Sequence, residues 1–302
     1  MSADAIAAID LGSHSTRLLI ERAGEPVVRL VELTKLSEGM RETGVIQPTA
    51  LDRVRSALTA YRREMDTHDV VRVRVAATAA ARDAKNGAEF IAMVTEAAGT
   101  APDILTGDAE AELTFLGATA ELDPERGPFL VIDIGGRSTE FAYGHHEFEG
   151  GISLEIGSVR LSEEYLESDP PRADELSACV TVTGAWLDDV DRELPQARRA
   201  RTVIGVAGTV SAAVAVEIGL MEYDRDQMHH FELSRDAAED VFRTLATESR
   251  ADRAHNPGLP PGRVDTIVGG MSILVKTMRH FDLDGMLASE ADILDGLVRS
   301  IR

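Results

Sequence analysis

Two short stretches carry the side chains most able to do chemistry. The first is Ile9-Asp10-Leu11-Gly12-Ser13-His14-Ser15-Thr16, and it returns as Ile132-Asp133-Ile134-Gly135-Gly136-Arg137-Ser138-Thr139. Asp, Gly, Ser and Thr recur at matching places, and Gly136 stands against Ser13. Glycine lets the backbone come close to a ligand, while N–H groups and hydroxyls can point at phosphate oxygens. A carboxylate beside them suits Mg²⁺ or its waters. Asp10 and Asp133 are therefore candidate metal holders. Gly12, Ser13, Ser15, Gly135, Gly136, Ser138 and Thr139 are candidate phosphate ligands. An Asp at a turn also serves as a plain Asx-turn cap, so one copy alone would say little. Two copies at domain-scale separation point to related half-molecules addressing one polyphosphate-type ligand.

Hydrolysis of a phosphoanhydride also needs a carboxylate to orient water. Thr106-Gly-Asp-Ala-Glu110-Ala-Glu112 opens a helix with three acids, which equally complement the helix dipole. Glu110 and Glu140 are the candidate bases, and periodicity does not choose between them. Arg17 and Arg82 are the cations best placed to reach the same ligand; each could also be a solvated surface residue. Ile204-Gly-Val-Ala-Gly208-Thr209 reads as a strand-to-helix turn whose small residues permit close approach, or simply close packing. His229-His230 reads as a polar loop without zinc-ligand spacing.

The elements that must position these groups read as mixed α/β. Each octet sits between two apolar runs, the pattern of a hairpin. Residues 5–33 read as three strands, 34–48 as a polar loop, and Thr49 to Asp66 as a helix with Leu51, Val54, Leu58 and Tyr61 at helical spacing. Val70 to Val75 alternates as a strand. Gly87 to Ala98 and Asp108 to Ala120 read as helices, the latter with Leu113, Phe115 and Leu116 inward. Leu122 to Pro128 has linker composition, dividing the chain into 1–124 and 125–302. The second half repeats hairpin, strands and helices: Ser158 to Leu166, Arg172 to Leu194, a strand at 201–206 and a helix from Gly208 to Ile218. An exposed loop is expected over 221–232, then helices from Ser234, Val264 and Glu290, the last of which can pack back on the first half. Phosphate loops at strand ends suit open α/β sheets.

The 302 residues suffice for two cores, and 44% hydrophobic content excludes a disordered chain. No apolar run is long enough to span a membrane, and no export signal is visible. The single cysteine, Cys179, fits a reducing cytoplasm. A net charge of −21 argues against nucleic-acid binding, and a polyanionic ligand would need divalent cations and local arginines to offset it.

Assembled, these residues resemble the exopolyphosphatase/guanosine pentaphosphate phosphohydrolase (Ppx/GppA) family of the sugar kinase–actin–Hsp70 superfamily. The carrying segments are Ala8 to Leu18, Ala77 to Arg82, Thr106 to Ala111, Val131 to Glu140, Ile156 to Leu161 and Ala207 to Thr209. The resemblance implies two actin-like (ribonuclease H-like) domains with an interdomain cleft. It implies Mg²⁺-dependent (or Mn²⁺-dependent) release of terminal phosphate from inorganic polyphosphate, with guanosine pentaphosphate as the alternative substrate. It matches the family's catalytic glutamate to Glu110, a phosphate-binding arginine to Arg82 and a second acid lining the site to Glu140, and it makes a homodimer an expectation. The family usually has Asn at His14, Gly at Arg137 and Glu at Ala109. Arg137 could crowd the phosphate or add a cation for it, and His14 could hydrogen-bond it with pH sensitivity. These departures motivate a reading of another class, a catalytically weak phosphate or nucleotide sensor. The chain ends where many relatives continue into a helical domain, which implies a preference for shorter polyphosphate.

Overall fold

The computed structural model describes residues 4–301. Contacts divide the chain into two units, residues 1–117 with 293–302, and residues 118–292. The boundary drawn from linker composition at 124 thus falls inside the second unit, where Pro124–Arg126 is a 3-10 turn capped by Asp123.

The first unit is built on five strands: β1 (Ala5–Leu11), β2 (Thr16–Arg22), β3 (Glu25–Glu32), β4 (Val70–Ala77) and β5 (Asp103–Ile104), in the order β3-β2-β1-β4-β5. β1, β2 and β3 are antiparallel neighbours, whereas β4 runs parallel to β1 and β5 parallel to β4. Alternation along β1 splits its side chains between two faces. Ala5, Ala7, Ile9 and Leu11 meet Leu51, Val54, Leu58 and Tyr61 of the helix Pro48–Thr67, together with Phe90 and Met93 of the helix Gly87–Ala98. Ile6 and Ala8 meet Leu113 of the helix Gly107–Ala118 and Leu294 and Leu297 of the helix Ile293–Arg299. Asp10 belongs by parity to this second face. The last two helices pack so closely that a Cβ on Gly296 would overlap the carbonyl of Leu113.

The second unit repeats the plan. Its strands are β6 (Phe129–Ile134), β7 (Thr139–Gly144), β8 (Phe148–Leu154), β9 (Thr202–Val206), β10 (Glu232–Ser234) and β11 (Gly285–Ala288), in the order β10-β11-β9-β6-β7-β8. β8-β7-β6-β9-β11 reproduces the first sheet strand for strand, with β10 added as an antiparallel edge. One large core joins this sheet to the helices Ser158–Tyr165, Ala173–Glu193, Ala207–Glu217, Arg235–Thr247 and Ile267–His280.

Three expectations need correction. Leu116 is 42% exposed, because it stands one turn beyond the exposed Glu112 on the outward stripe of the helix Gly107–Ala118. The segment 221–232 is not wholly loop: it holds the short helix Arg225–Met228, the start of β10, and a buried Met228. The last helix begins at Ile293 and not Glu290, since the Ser289 side chain exchanges hydrogen bonds with the backbone of Ala291 and turns the chain first. Among the described residues no helix is long and apolar enough to cross a membrane.

Candidate active site

The two octets form matching turns. Gly12 N–H donates to Ser15 O at 2.9 Å, and Gly135 N–H donates to Ser138 O at 3.0 Å. A Cβ at either glycine would lie 3.0 Å from the accepting oxygen, so a side chain there would press on the turn's closing carbonyl. Ser13, His14 and Ser138 are buried; Ser15, Gly135, Gly136 and Arg137 are half-buried. Both threonines that open the second strands are turned inward. Thr16 shares a 2.9 Å hydrogen bond with Thr34, and the Thr139 hydroxyl donates to Ile156 O at 2.8 Å. The Thr139 hydroxyl thus anchors the hairpin.

The acids of the two turns have different cross-strand partners. Asp10 faces Arg17 across β1 and β2, and Arg17 binds its Oδ2 from Nη2 at 2.7 Å and from Nε at 2.9 Å. Asp133 faces Glu140 across β6 and β7. Directly opposed residues on one face have Cβ atoms about 5 Å apart, so two carboxylates meet there. Glu140 is 2% exposed and accepts from Ser153 Oγ at 2.7 Å. Buried carboxylates in such a pair repel, and a divalent cation with its preference for hard oxygen donors relieves that repulsion. The donor set of the second turn fits such a cation.

Glu110 and Arg82 come together in the first unit. Glu110 lies in the first turn of the helix Gly107–Ala118 and is 7% exposed. Thr106 caps that helix, its hydroxyl accepting from Ala109 N–H at 3.2 Å. Arg82 lies in the last turn of the short helix Ala79–Asp83, which follows β4 directly. Its Nη1 donates to Leu105 O at 2.8 Å and stands 3.8 Å from Glu110 Oε2. The carbonyl fixes the guanidinium beside the carboxylate.

Gly208 starts the helix Ala207–Glu217 after a left-handed Ala207, and Arg263 packs where a Cβ of Gly208 would be. Arg263 is not singled out by the sequence, and no local spacing marks it. Another cluster, Asp188, Asp191 and His280, has ligand atoms within 4.8 Å of one another. Arg198 holds both Asp191 oxygens, at 2.6 and 2.7 Å, and His280 adds a third contact at 2.8 Å, which makes this an ion-pair cluster. Cys179 is buried, and burial pushes its thiol up to about 11, so it is inert as a nucleophile.

The sequence profile of the Ppx/GppA phosphatase family matches residues 20–301. Exopolyphosphatase 2 of Mycobacterium tuberculosis is 37% identical over 100% of this chain and 99% of its own length. Among solved structures, an exopolyphosphatase-like protein superposes with a TM-score of 0.94 at 32% identity, covering 98% of each chain. The Aquifex aeolicus PPX-GPPA enzyme superposes with a TM-score of 0.82 at 28% identity over 98% of this chain and 99% of that one. With the family profile spanning nearly all of its length and its fold shared with these structures, the chain belongs to the Ppx/GppA phosphatase family.

Proposed function

We propose that this chain is an exopolyphosphatase, hydrolysing terminal phosphoanhydride bonds of inorganic polyphosphate and releasing orthophosphate. The observation that carries the reading is the duplicated glycine turn, closed by the same hydrogen bond in both units, within a chain similar over its full length to an exopolyphosphatase.

In this reading Glu110 holds water in line with the terminal phosphorus and accepts its proton as the new P–O bond forms. The bridging P–O bond breaks, and orthophosphate separates from the shortened chain. Arg82 holds the ionised Glu110 in place and offers positive charge to the phosphoryl group. Main-chain N–H groups of the two turns, with Ser13, Ser15 and Ser138, hold phosphate oxygens. Asp133 and Glu140 would hold Mg²⁺ or Mn²⁺. Such an ion neutralises phosphate charge and polarises the phosphorus centre. Arg17 serves this arrangement by fixing Asp10. A cytoplasmic homodimer belongs to the same reading, with size-exclusion chromatography as its check.

Phosphate release under Mg²⁺ from short polyphosphate, long polyphosphate, guanosine pentaphosphate and ATP tests the proposal. Turnover is expected on polyphosphate. Preference for guanosine pentaphosphate would move the assignment within the family, and no release from any of the four would end it.

A further inference from the structure

Each glycine turn is backed by the segment that follows the third strand of its own hairpin set. Behind the first turn, Lys35 N–H donates to His14 O at 2.9 Å and Ser37 N–H to Ser13 O at 3.0 Å. Behind the second, Ser158 N–H donates to Gly135 O at 2.9 Å, and Val159 and Arg160 N–H share Gly136 O at 2.8 and 3.1 Å. The first donors follow β3 and the second follow β8. The duplication therefore extends past the hairpins to the segments that hold them.

These bonds orient the turns. A peptide unit is planar and trans, so its C=O and the N–H of the next residue point in opposite directions. With the carbonyls of Ser13 and His14 drawn to the backing segment, the N–H groups of His14 and Ser15 point away from it. In the second turn the same reasoning applies to the N–H groups of Gly136 and Arg137. Two successive N–H groups aimed the same way make an anion-binding concavity. The second turn is displaced by one residue from the first, since His14 aligns with Arg137. The helix Ser158–Tyr165 spends its own N-terminal amides on the turn.

We infer that Lys35–Ser37 and Gly157–Arg160 are positioning segments that aim these two amide pairs at phosphoryl oxygens, and that Gly157 is the residue on which the second depends. The inference rests on the phosphate-binding reading of the turns. A Cβ at Gly157 would overlap the carbonyl carbon of Gly136 and lie 2.5 Å from Arg137 N. Its φ of −158° is ordinary extended backbone, so the demand is for space. The inference also accounts for Arg137. What that position supplies is a main-chain N–H, which any residue except proline provides.

The direct test is an amide ¹⁵N titration of the wild-type protein with inorganic phosphate, the product of the proposed reaction, in the presence of Mg²⁺. The amides of His14, Ser15, Gly136 and Arg137 should shift together, with those of Ser158, Val159 and Arg160 moving less. Binding that shifts amides elsewhere and leaves these four unmoved overturns the inference. Two variants add a kinetic test. Gly157→Ala, and Ser158→Pro, which removes one donor at a helix position that accepts proline, should each raise KM for tripolyphosphate at least about tenfold while kcat changes less than about threefold. A folded Gly157→Ala with wild-type KM also overturns it. Wild-type protein that releases no phosphate from any substrate fails the functional reading instead, and the titration still decides whether the turns bind the anion through these amides.

Discussion

Arg17 places two hydrogen bonds, from Nε and Nη2, on a single oxygen of Asp10. The two residues are cross-strand partners at the mouth of the first turn, and Asp10 is 2% exposed. Removing one partner of a buried ion pair costs more than the pair contributes, because a charge stays behind in a poorly solvated place. Arg17→Ala should therefore lower stability by about 3 kcal/mol, read from urea denaturation midpoints. Asp10→Asn combined with Arg17→Met should recover most of that loss. A single variant as stable as the wild type would show that the pair does not hold the turn.

At the equivalent register of the second turn, Glu140 occupies the place of Arg17. The duplicated halves have diverged into an ion pair on one side and a carboxylate pair on the other. Divalent-ion dependence should follow the carboxylate pair. Asp133→Asn or Glu140→Gln should raise the Mg²⁺ concentration for half-maximal phosphate release at least about tenfold, as expected on losing part of a metal's oxygen shell. Asp10→Asn should raise it less. The reverse order would place the ion on Asp10.

Glu110 and Arg82 stand 3.8 Å apart, and Leu105 O fixes the guanidinium. Loss of a general base typically costs about a hundredfold or more in rate, so Glu110→Ala should lower kcat on polyphosphate by at least about that factor with an unchanged melting temperature. Arg82→Ala should lower kcat and raise KM together, since it touches both the base and the charge of the substrate. Unchanged turnover in Glu110→Ala would pass the role of base to Glu140.

The hairpins, most helices and the α/β class were legible because their signals are local: alternating apolar residues, a glycine turn between them, helical spacing in Leu51, Val54, Leu58 and Tyr61. The helix Gly107–Ala118 was legible in extent but not in facing, for Ala109, Ala111, Leu113, Phe115, Leu116 and Ala118 give it apolar residues all round. β11 is four residues long and too short to show a period. Of the site, the turns and Glu110 stood out as motifs. The grip of Arg17 on Asp10 needs strand register to be seen, and the backing of the turns by Lys35, Ser37, Ser158, Val159 and Arg160 is made by main-chain groups, which sequence identity barely marks. Thr139 has the residue type of a phosphate ligand, yet its position as the first residue of a buried strand turns its hydroxyl to Ile156 O.

His229 joins segments far apart in sequence. Its Nδ1 accepts the main-chain N–H of Glu290 at 3.0 Å, which leaves the proton on Nε2 to be donated to Glu121 Oε2 at 3.1 Å. The bond from Glu290 needs a neutral ring, because protonated Nδ1 could no longer accept. Burial, with Arg225 and His230 nearby, pushes His229 down to about 4 against the pull of Glu121. Burial alone would raise Glu121, but Arg225 beside it holds the carboxyl below its usual range, so its titration lies at lower pH. In the unfolded chain His229 takes up its proton near pH 6.5. A folded value below the unfolded one means that the unfolded state binds more protons, so stability is full above pH 6.5 and falls as pH drops from there toward 4, by at most about 1.4 kcal/mol per pH unit. His229→Gln should lower the melting temperature at pH 7.5 through lost hydrogen bonds, worth about 1–2 kcal/mol. It should also melt with a shallower dependence on pH between 6.5 and 4.5 than the wild type. Parallel melting curves for the two proteins across that window would show that His229 does not carry the proton linkage.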